Sequence, residues 1–403
     1  MKTKRFVIGV LLFAMFLTIG SGFYATARLA GILIAVLLLS FLWARVNVRW
    51  LDIRIERKLN DVQVNDDIEE KVIVRNLSLL PLPWLYVGDL GNLPGHGLSR
   101  VFGIGGWSSL SWNPVTRVSQ RGVFSLGPLE VMTSDPLGLF KATRMYGESQ
   151  EILVYPETLY LAGFQIPTEG HVGDSSDLRS TRGLTSNVRS VRKYEIGDGL
   201  NSVHWKSTAR YNQMMVKEFE IERHGGVWIV LDMNRKSQGG EGKESTEEYG
   251  VKIAASIAHT LLTQDQEVGL ALIGDTRHIL HPSNSASHRL SMLETLARVR
   301  AEGQMSVAEV FFEIERFLGP SSAVIVISSS VENLQITASN LMARNIPGAL
   351  VVLDSESFDG DVSGSDFAKN ILSAGMFSYH VRCGDDLQSS LRLNTSLVAG
   401  GRR

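Results

Sequence analysis

Two consecutive apolar runs at the N terminus constrain this chain more than any other feature. Residues 6–27 (FVIGVLLFAMFLTIGSGFYATA) carry no charge, and after Arg28 the run LAGILIAVLLLSFLWA is equally apolar. Crossing a bilayer takes roughly 20 apolar residues, fewer where aromatic or basic flanks extend the span. The pattern predicts a transmembrane helical hairpin over residues 1–50, turning near Gly20-Ser21-Gly22 and Tyr24. Neither run keeps the polar face usual for a core helix of a soluble protein. The outer ends carry Lys2, Lys4 and Arg5, then Arg45, Arg49 and Arg54. Lys and Arg accumulate on cytoplasmic flanks, so a multi-pass cell-membrane protein with a cytoplasmic body is expected. A second reading stays open, because a basic start, an apolar stretch and Ala25-Thr26-Ala27 also resemble a cleavable secretory signal.

Charge is distributed to match. The first 50 residues hold six Lys and Arg and no acid, leaving 34 basic against 42 acidic residues in the remainder. A body that acidic is a poor general ligand for nucleic acid, whose phosphates bind through cationic groups. The single cysteine, Cys383, allows no internal disulfide and fits a reducing compartment.

Beyond the hairpin the hydrophobic period changes twice. Over residues 51–160, LDIRIERKL and EEKVIVRN alternate polar and apolar residues, with further strands expected at RVSQRGVFSL, PLEVMTS and EILVYP. Turn signals such as Asn65-Asp66-Asp67 and Asp135-Pro136-Leu137-Gly138 separate them. Short strands without a long helix predict a β-sandwich-like domain. Residues 161–224 open with a Gly/Ser/Thr-rich stretch expected to be a linker or loop. Over residues 225–403, apolar runs (VWIVL, AVIVI, ALVVL) alternate with amphipathic helical segments, which predicts a doubly wound α/β domain with a mainly parallel sheet.

Most familiar site motifs fail. Gly239-Gly240-Glu241-Gly242-Lys243 lacks the leading glycine of a phosphate-binding loop and the Ser or Thr after the lysine. Gly103-Ile104-Gly105-Gly106 lacks a third glycine, and no HExxH, CxxC or GxSxG occurs. His278 and His281 have no acidic or cysteine partner at metal-ligand spacing.

One stretch stands apart, RSVRKYEIGDGLNSVHWKSTARYNQMMVKEFEIE over residues 189–222. Its ordered features are Arg192, Tyr194, Gly197-Asp198, His204-Trp205-Lys206, Ala209-Arg210 and Val216-Lys217-Glu218. This arrangement resembles the signature of the bacterial and archaeal family called domain of unknown function 58. The layout of anchor, β-rich segment, signature and α/β region is similar over nearly the whole chain. The resemblance implies a C-terminal domain like that of von Willebrand factor A, and a partner of the MoxR type of AAA+ ATPase. It thereby implies a non-enzymatic, membrane-anchored adaptor in the assembly or maturation of protein complexes.

The metal site implied by that fold uses Asp-x-Ser-x-Ser after the first strand, a distant Thr and an Asp after the fourth. Here Asp232, Asn234 and Lys236 occupy the first positions, and Ser328-Ser329-Ser330 replaces the later Asp. An ammonium where an oxygen ligand is needed argues against a divalent cation, so Asp232 is expected to cap its loop and no metal or cofactor is expected. For the signature itself two readings remain. Asp198 can pair with Arg192 or Arg210 while Trp205 packs with Tyr194 between domains, or the same basic and aromatic residues form a protein-recognition face. Alternatives from other classes are a hydrolase using His204 and Asp198 as base and orienter, and an exported adhesion-like binder.

Overall fold

A computed structural model describes residues 9, 12–13, 16, 24–59, 61–166, 188–194, 203–211, 213–219, 226–319, 321–360 and 363–392. The chain forms two compact units, residues 1–157 with 293–299, and residues 158–292 with 300–403.

The first unit begins with helix α1 (Tyr24–Arg49), in which Arg28–Arg49 is long and apolar enough to cross a membrane. The helix begins at Tyr24, the last residue of the expected turn, and continues through Arg28. The first apolar run and the expected hairpin turn lie largely outside the described residues, so one such helix is established and not a pair. Ten strands follow: β1 (Leu51–Arg57), β2 (Asp67–Asn76), β3 (Leu82–Asp89), β4 (Arg100–Ile104), β5 (Ser109–Trp112), β6 (Val115–Arg117), β7 (Gly122–Leu126), β8 (Leu129–Ser134), β9 (Lys141–Tyr146) and β10 (Gln150–Val154). They pair antiparallel as β1-β2-β5 with β6 also on β2, as β4-β3-β8-β9, and as β10-β7. Period-two alternation sends Ile68, Val72 and Val74 of β2 inward, as expected of a half-buried strand. Val72 and Val74 share one core with Leu85, Val87 and Val131 of the second sheet, and with Ala44 and Val48 from the last turns of α1. Helix α1 is therefore built into the β-rich core rather than tethered to it.

Four ionisable side chains are also buried there. Arg57 donates from Nε to Glu70 (2.6 Å) and from a terminal nitrogen to Asp89 (2.7 Å). His96 Nε2 lies 2.5 Å from the other Glu70 oxygen. Asp89 also accepts the backbone N–H groups of Gly91 and Gly127.

In the second unit, β11 (Val188–Lys193) and β12 (Met215–Phe219) form an antiparallel pair flanking helix α2 (Trp205–Tyr211). The main sheet comprises β13 (Val227–Leu231), β14 (Val268–Ile273), β15 (Arg277–Ser283), β16 (Ala323–Ser328), β17 (Gly348–Leu353) and β18 (Phe377–Val381). Its spatial order is β15-β14-β13-β16-β17-β18, parallel except for the edge strand β15. Every residue of β13, β16 and β17 is buried, which explains their unbroken apolar runs. Helices α3 (Thr246–Thr263), α4 (Ala286–Arg298), α5 (Val307–Glu315), α6 (Val331–Ala343), α7 (Ser365–Ser373) and α8 (Leu387–Ser390) alternate with or follow the strands. Ser306 and Glu309 close a capping box on α5, a stop signal against fraying at its first turn.

Residues 161–187 were expected to form a linker. Most lie outside the described residues, but 161–166 are fastened down. Leu161 N–H bonds Thr260 of α3, Phe164 stacks on Tyr379 of β18 at 5.0 Å, and Gln165 exchanges hydrogen bonds with the Tyr379 hydroxyl.

Candidate functional site

The signature residues build a small module around the β11–β12 pair. Arg192 stands opposite Val216, and Ser190 opposite Glu218. The side chains of Arg192 and Glu218, together with Gly197 and Asp198, lie outside the described residues. Val203 bridges to Val216, His204 N–H bonds Met215 O (2.8 Å), and Tyr194 N–H bonds Met214 O (3.0 Å). Among the described residues of this module, Val203, Met215 and Val216 are buried.

Helix α2 is anchored by its ends and buries none of its side chains. The His204 ring accepts the Ser207 N–H at Nδ1 (3.2 Å) and lies 2.7 Å from the Ser207 hydroxyl, so it acts as a cap for the first turn. Thr208 accepts the Met215 N–H (3.1 Å) and ties the helix to β12. Trp205, expected to pack between domains with Tyr194, is instead 69% exposed. The physical reason is that α2 buries none of its side chains, so Trp205 lies on the outer surface of the helix. Lys206 and Arg210 are exposed as well, with the Arg210 guanidinium 6.0 Å from the Tyr211 ring. Tyr211, 58% exposed and next to the Arg210 guanidinium, was not among the residues singled out in the sequence.

A second constellation lies at the carboxyl ends of β13 and β16, where the strand order reverses and doubly wound sheets open a crevice. Asp232 accepts the Ser328 hydroxyl (2.5 Å) and the Asn234 N–H (3.0 Å). Asn234 in turn accepts the Lys236 N–H (2.8 Å), and Ser329 bonds the Ser237 carbonyl. Burial pushes the Asp232 carboxyl above the ordinary carboxylate range, with the bonds from Ser328 and Asn234 pulling the other way. Asp232 thus caps its loop. The donor set does not fit a divalent cation: both Asp232 oxygens are engaged by protein donors, and Lys236 is exposed, giving this loop only its N–H. Among the described residues no group of three His, Cys, Asp or Glu could hold a metal. Asp354, after β17, is a further buried acid that sequence reading missed. It accepts Gly364 N–H (2.9 Å), with Arg382 and His380 nitrogens 3.3 and 3.4 Å away.

The molecule is thus a mixed α/β protein with a β-rich unit, an apolar N-terminal helix and an exposed aromatic–basic helix. The family model described as protein of unknown function DUF58 matches residues 190–345, less than half of the chain. An uncharacterised protein, YeaD of Bacillus subtilis, is 27% identical over 266 residues, covering 65% of this chain and 62% of its own length. Among solved structures, a CARDB domain from Pyrococcus furiosus covers 27% of this chain and 96% of its own, at 18% identity and a TM-score of 0.19. A FixG-related protein from Vibrio parahaemolyticus covers 26% and 96%, at 9% identity and the same TM-score. At such scores neither likeness carries an argument about fold or function.

Proposed function

We propose that this protein is a non-catalytic, membrane-anchored adaptor that engages a partner protein through helix α2. The observation that carries the reading is the 69% exposure of Trp205 beside exposed Lys206, Arg210 and Tyr211. Trp, Tyr and Arg are the residues most enriched at interface hot spots, and leaving an indole in water is unfavourable unless something covers it. The resemblance of the signature names the partner as a MoxR-type AAA+ ATPase and the task as assembly or maturation of protein complexes. A von Willebrand factor A-like α/β domain is supported by the mainly parallel main sheet and by Asp232 after its first strand, with Ser328 at the end of the fourth strand as a departure from that fold's Asp. The basic flanks Arg45 and Arg49 support a cytoplasmic body. A hydrolase built on His204 has less support, because its Nδ1 is committed to capping α2.

The test is binding of the purified ATPase from the same cells to full-length protein and to Trp205→Ala. Truncation of a hot-spot aromatic costs at least about 2 kcal/mol, roughly thirtyfold in Kd. Equal affinity of the two proteins for the ATPase, at equal melting temperature, refutes the reading.

A further inference from the structure

Three features of the first unit meet at one end of α1. The first is a pocket of about 520 Å³ lined by Arg45, Val48, Arg49, Ala142, Thr143 and Arg144. Arg45 and Arg49 are one helical turn apart and so share a face, and Arg144 reaches the last turn by donating to the Arg49 carbonyl (3.4 Å). None of the lining residues is acidic, and among the described residues no ion pair engages these three guanidiniums.

The second is the turn Asp135–Phe140 between β8 and β9. Asp135 accepts the N–H groups of Leu137 and Phe140, and Gly138 takes φ +71° to close the turn. The turn presents Leu137 at 60% exposure, and Phe140 packs edge-on against Phe41 of α1 at 5.6 Å. Phe41 lies four residues, or about 6 Å of helix, on the N-terminal side of Arg45, inside the apolar span. A loop of the β-rich unit therefore reaches the level of the span itself.

The third is a pair of apolar tips beside the helix end. Ser78 donates to Asn47 of α1 (2.9 Å), Leu77 N–H bonds Trp50 O, and Trp107 N–H bonds Ser78 O. Gly106 serves this turn, since a Cβ on it would sit 2.1 Å from the Leu79 carbonyl. Leu79 and Trp107 are left 75% and 68% exposed, and Trp50 53%. Trp at this height, with arginines between apolar tips, is the arrangement of a membrane–water interface.

From this geometry we propose that the α1 end of the first unit is a membrane seat. Leu79, Trp107 and Leu137 enter the interface, and Arg45, Arg49 and Arg144 hold the phosphate of an anionic phospholipid. The occupant follows from continuity with the apolar helix and from the uncompensated positive charge of the pocket; basic pockets beside spanning helices take such headgroups. The proposal rests on α1 spanning the membrane, and its test separates the two.

Full-length protein is reconstituted in nanodiscs of phosphatidylcholine with or without phosphatidylglycerol. A fluorophore on Leu79→Cys, in a Cys383→Ser background, reports depth through quenching by spin-labelled lipid, with a label on exposed Asp67→Cys as control. Quenching at position 79 and not at 67 is expected. Retention in alkaline-washed membranes tests α1 alone: a retained protein whose label at 79 is unquenched sinks the seat and spares the span. Phosphatidylglycerol co-purifying with the protein should fall about fivefold for each of Arg144→Gln and Arg45→Gln, at unchanged melting temperature. Retention equal to wild type in both variants, or displacement of the lipid by inorganic phosphate at equal concentration, overturns the lipid assignment.

Discussion

Each unit buries carboxylates, and Glu70 of the first and Asp232 of the second are held differently, whereas Asp354 of the second has Arg382 and His380 beside it, as Glu70 has Arg57 and His96. In the first, Glu70 and Asp89 are neutralised by Arg57, with His96 against Glu70. Burial alone would raise Glu70, but the hydrogen bonds and charges of His96 and Arg57 outweigh it and hold the carboxyl below its ordinary value. In the second, Asp232 has neutral donors, the Ser328 and Ser237 hydroxyls and the Asn234 N–H, and burial leaves it raised. The contrast teaches that a buried acid with a cation is charged and dependent on its partner. A buried acid with neutral donors needs only its hydrogen bonds.

The largest expected effect therefore lies in the first unit. Arg57→Met should strand two buried carboxylates and cost about 3–5 kcal/mol, read by denaturant unfolding of the detergent-solubilised chain. Asp232→Asn keeps the Ser328 or Asn234 contact and should cost about 1 kcal/mol; a loss as large as that of Arg57→Met would erase the distinction between the two sites.

Acid sharpens the same contrast. Glu70 has a folded pKa below its unfolded value, so its contribution is present above the unfolded value and lost as pH falls through the folded one. Asp232 has the opposite sign, contributing most below the unfolded carboxylate value and losing that contribution as pH rises through its folded pKa. Glu70→Gln should flatten the acid limb of the stability profile, and Asp232→Asn should steepen it. The smallest effect on stability is expected for Trp205→Ala, within about 0.5 kcal/mol because the ring is exposed. A melting temperature well below wild type would return Trp205 to a packing role.

What was legible in the sequence follows from locality. The unbroken runs VWIVL and AVIVI announced buried strands, and an Asp directly after such a run announced a loop cap, because both depend on near neighbours. The Arg57 cluster joins residues 13 to 32 positions apart and depends on strand pairing. One clue was present: Glu70 has the inward parity of Val72 and Val74 in β2, an acid on the apolar face. Trp205 was misread because aromatic character alone cannot say which way a side chain faces, and α2 buries none of its side chains. The Gly105-Gly106 pair stood in the sequence only as a failed glycine motif and not as the seat of Trp107, since the crowding comes from a carbonyl 27 positions upstream of Gly106, at Leu79.

The docking of α1 has a mechanical consequence. Ala44 and Val48 belong to the β-rich core, and the Tyr146 hydroxyl grips the Val48 carbonyl at 2.8 Å. Residues 50 and 51 thus offer no swivel between helix and strand β1. A torque applied to this β-rich unit is delivered as tilt and rotation of the helix, like a mast stepped into a keel rather than a buoy on a line. Whatever pulls on that unit is felt directly at the depth of Phe41.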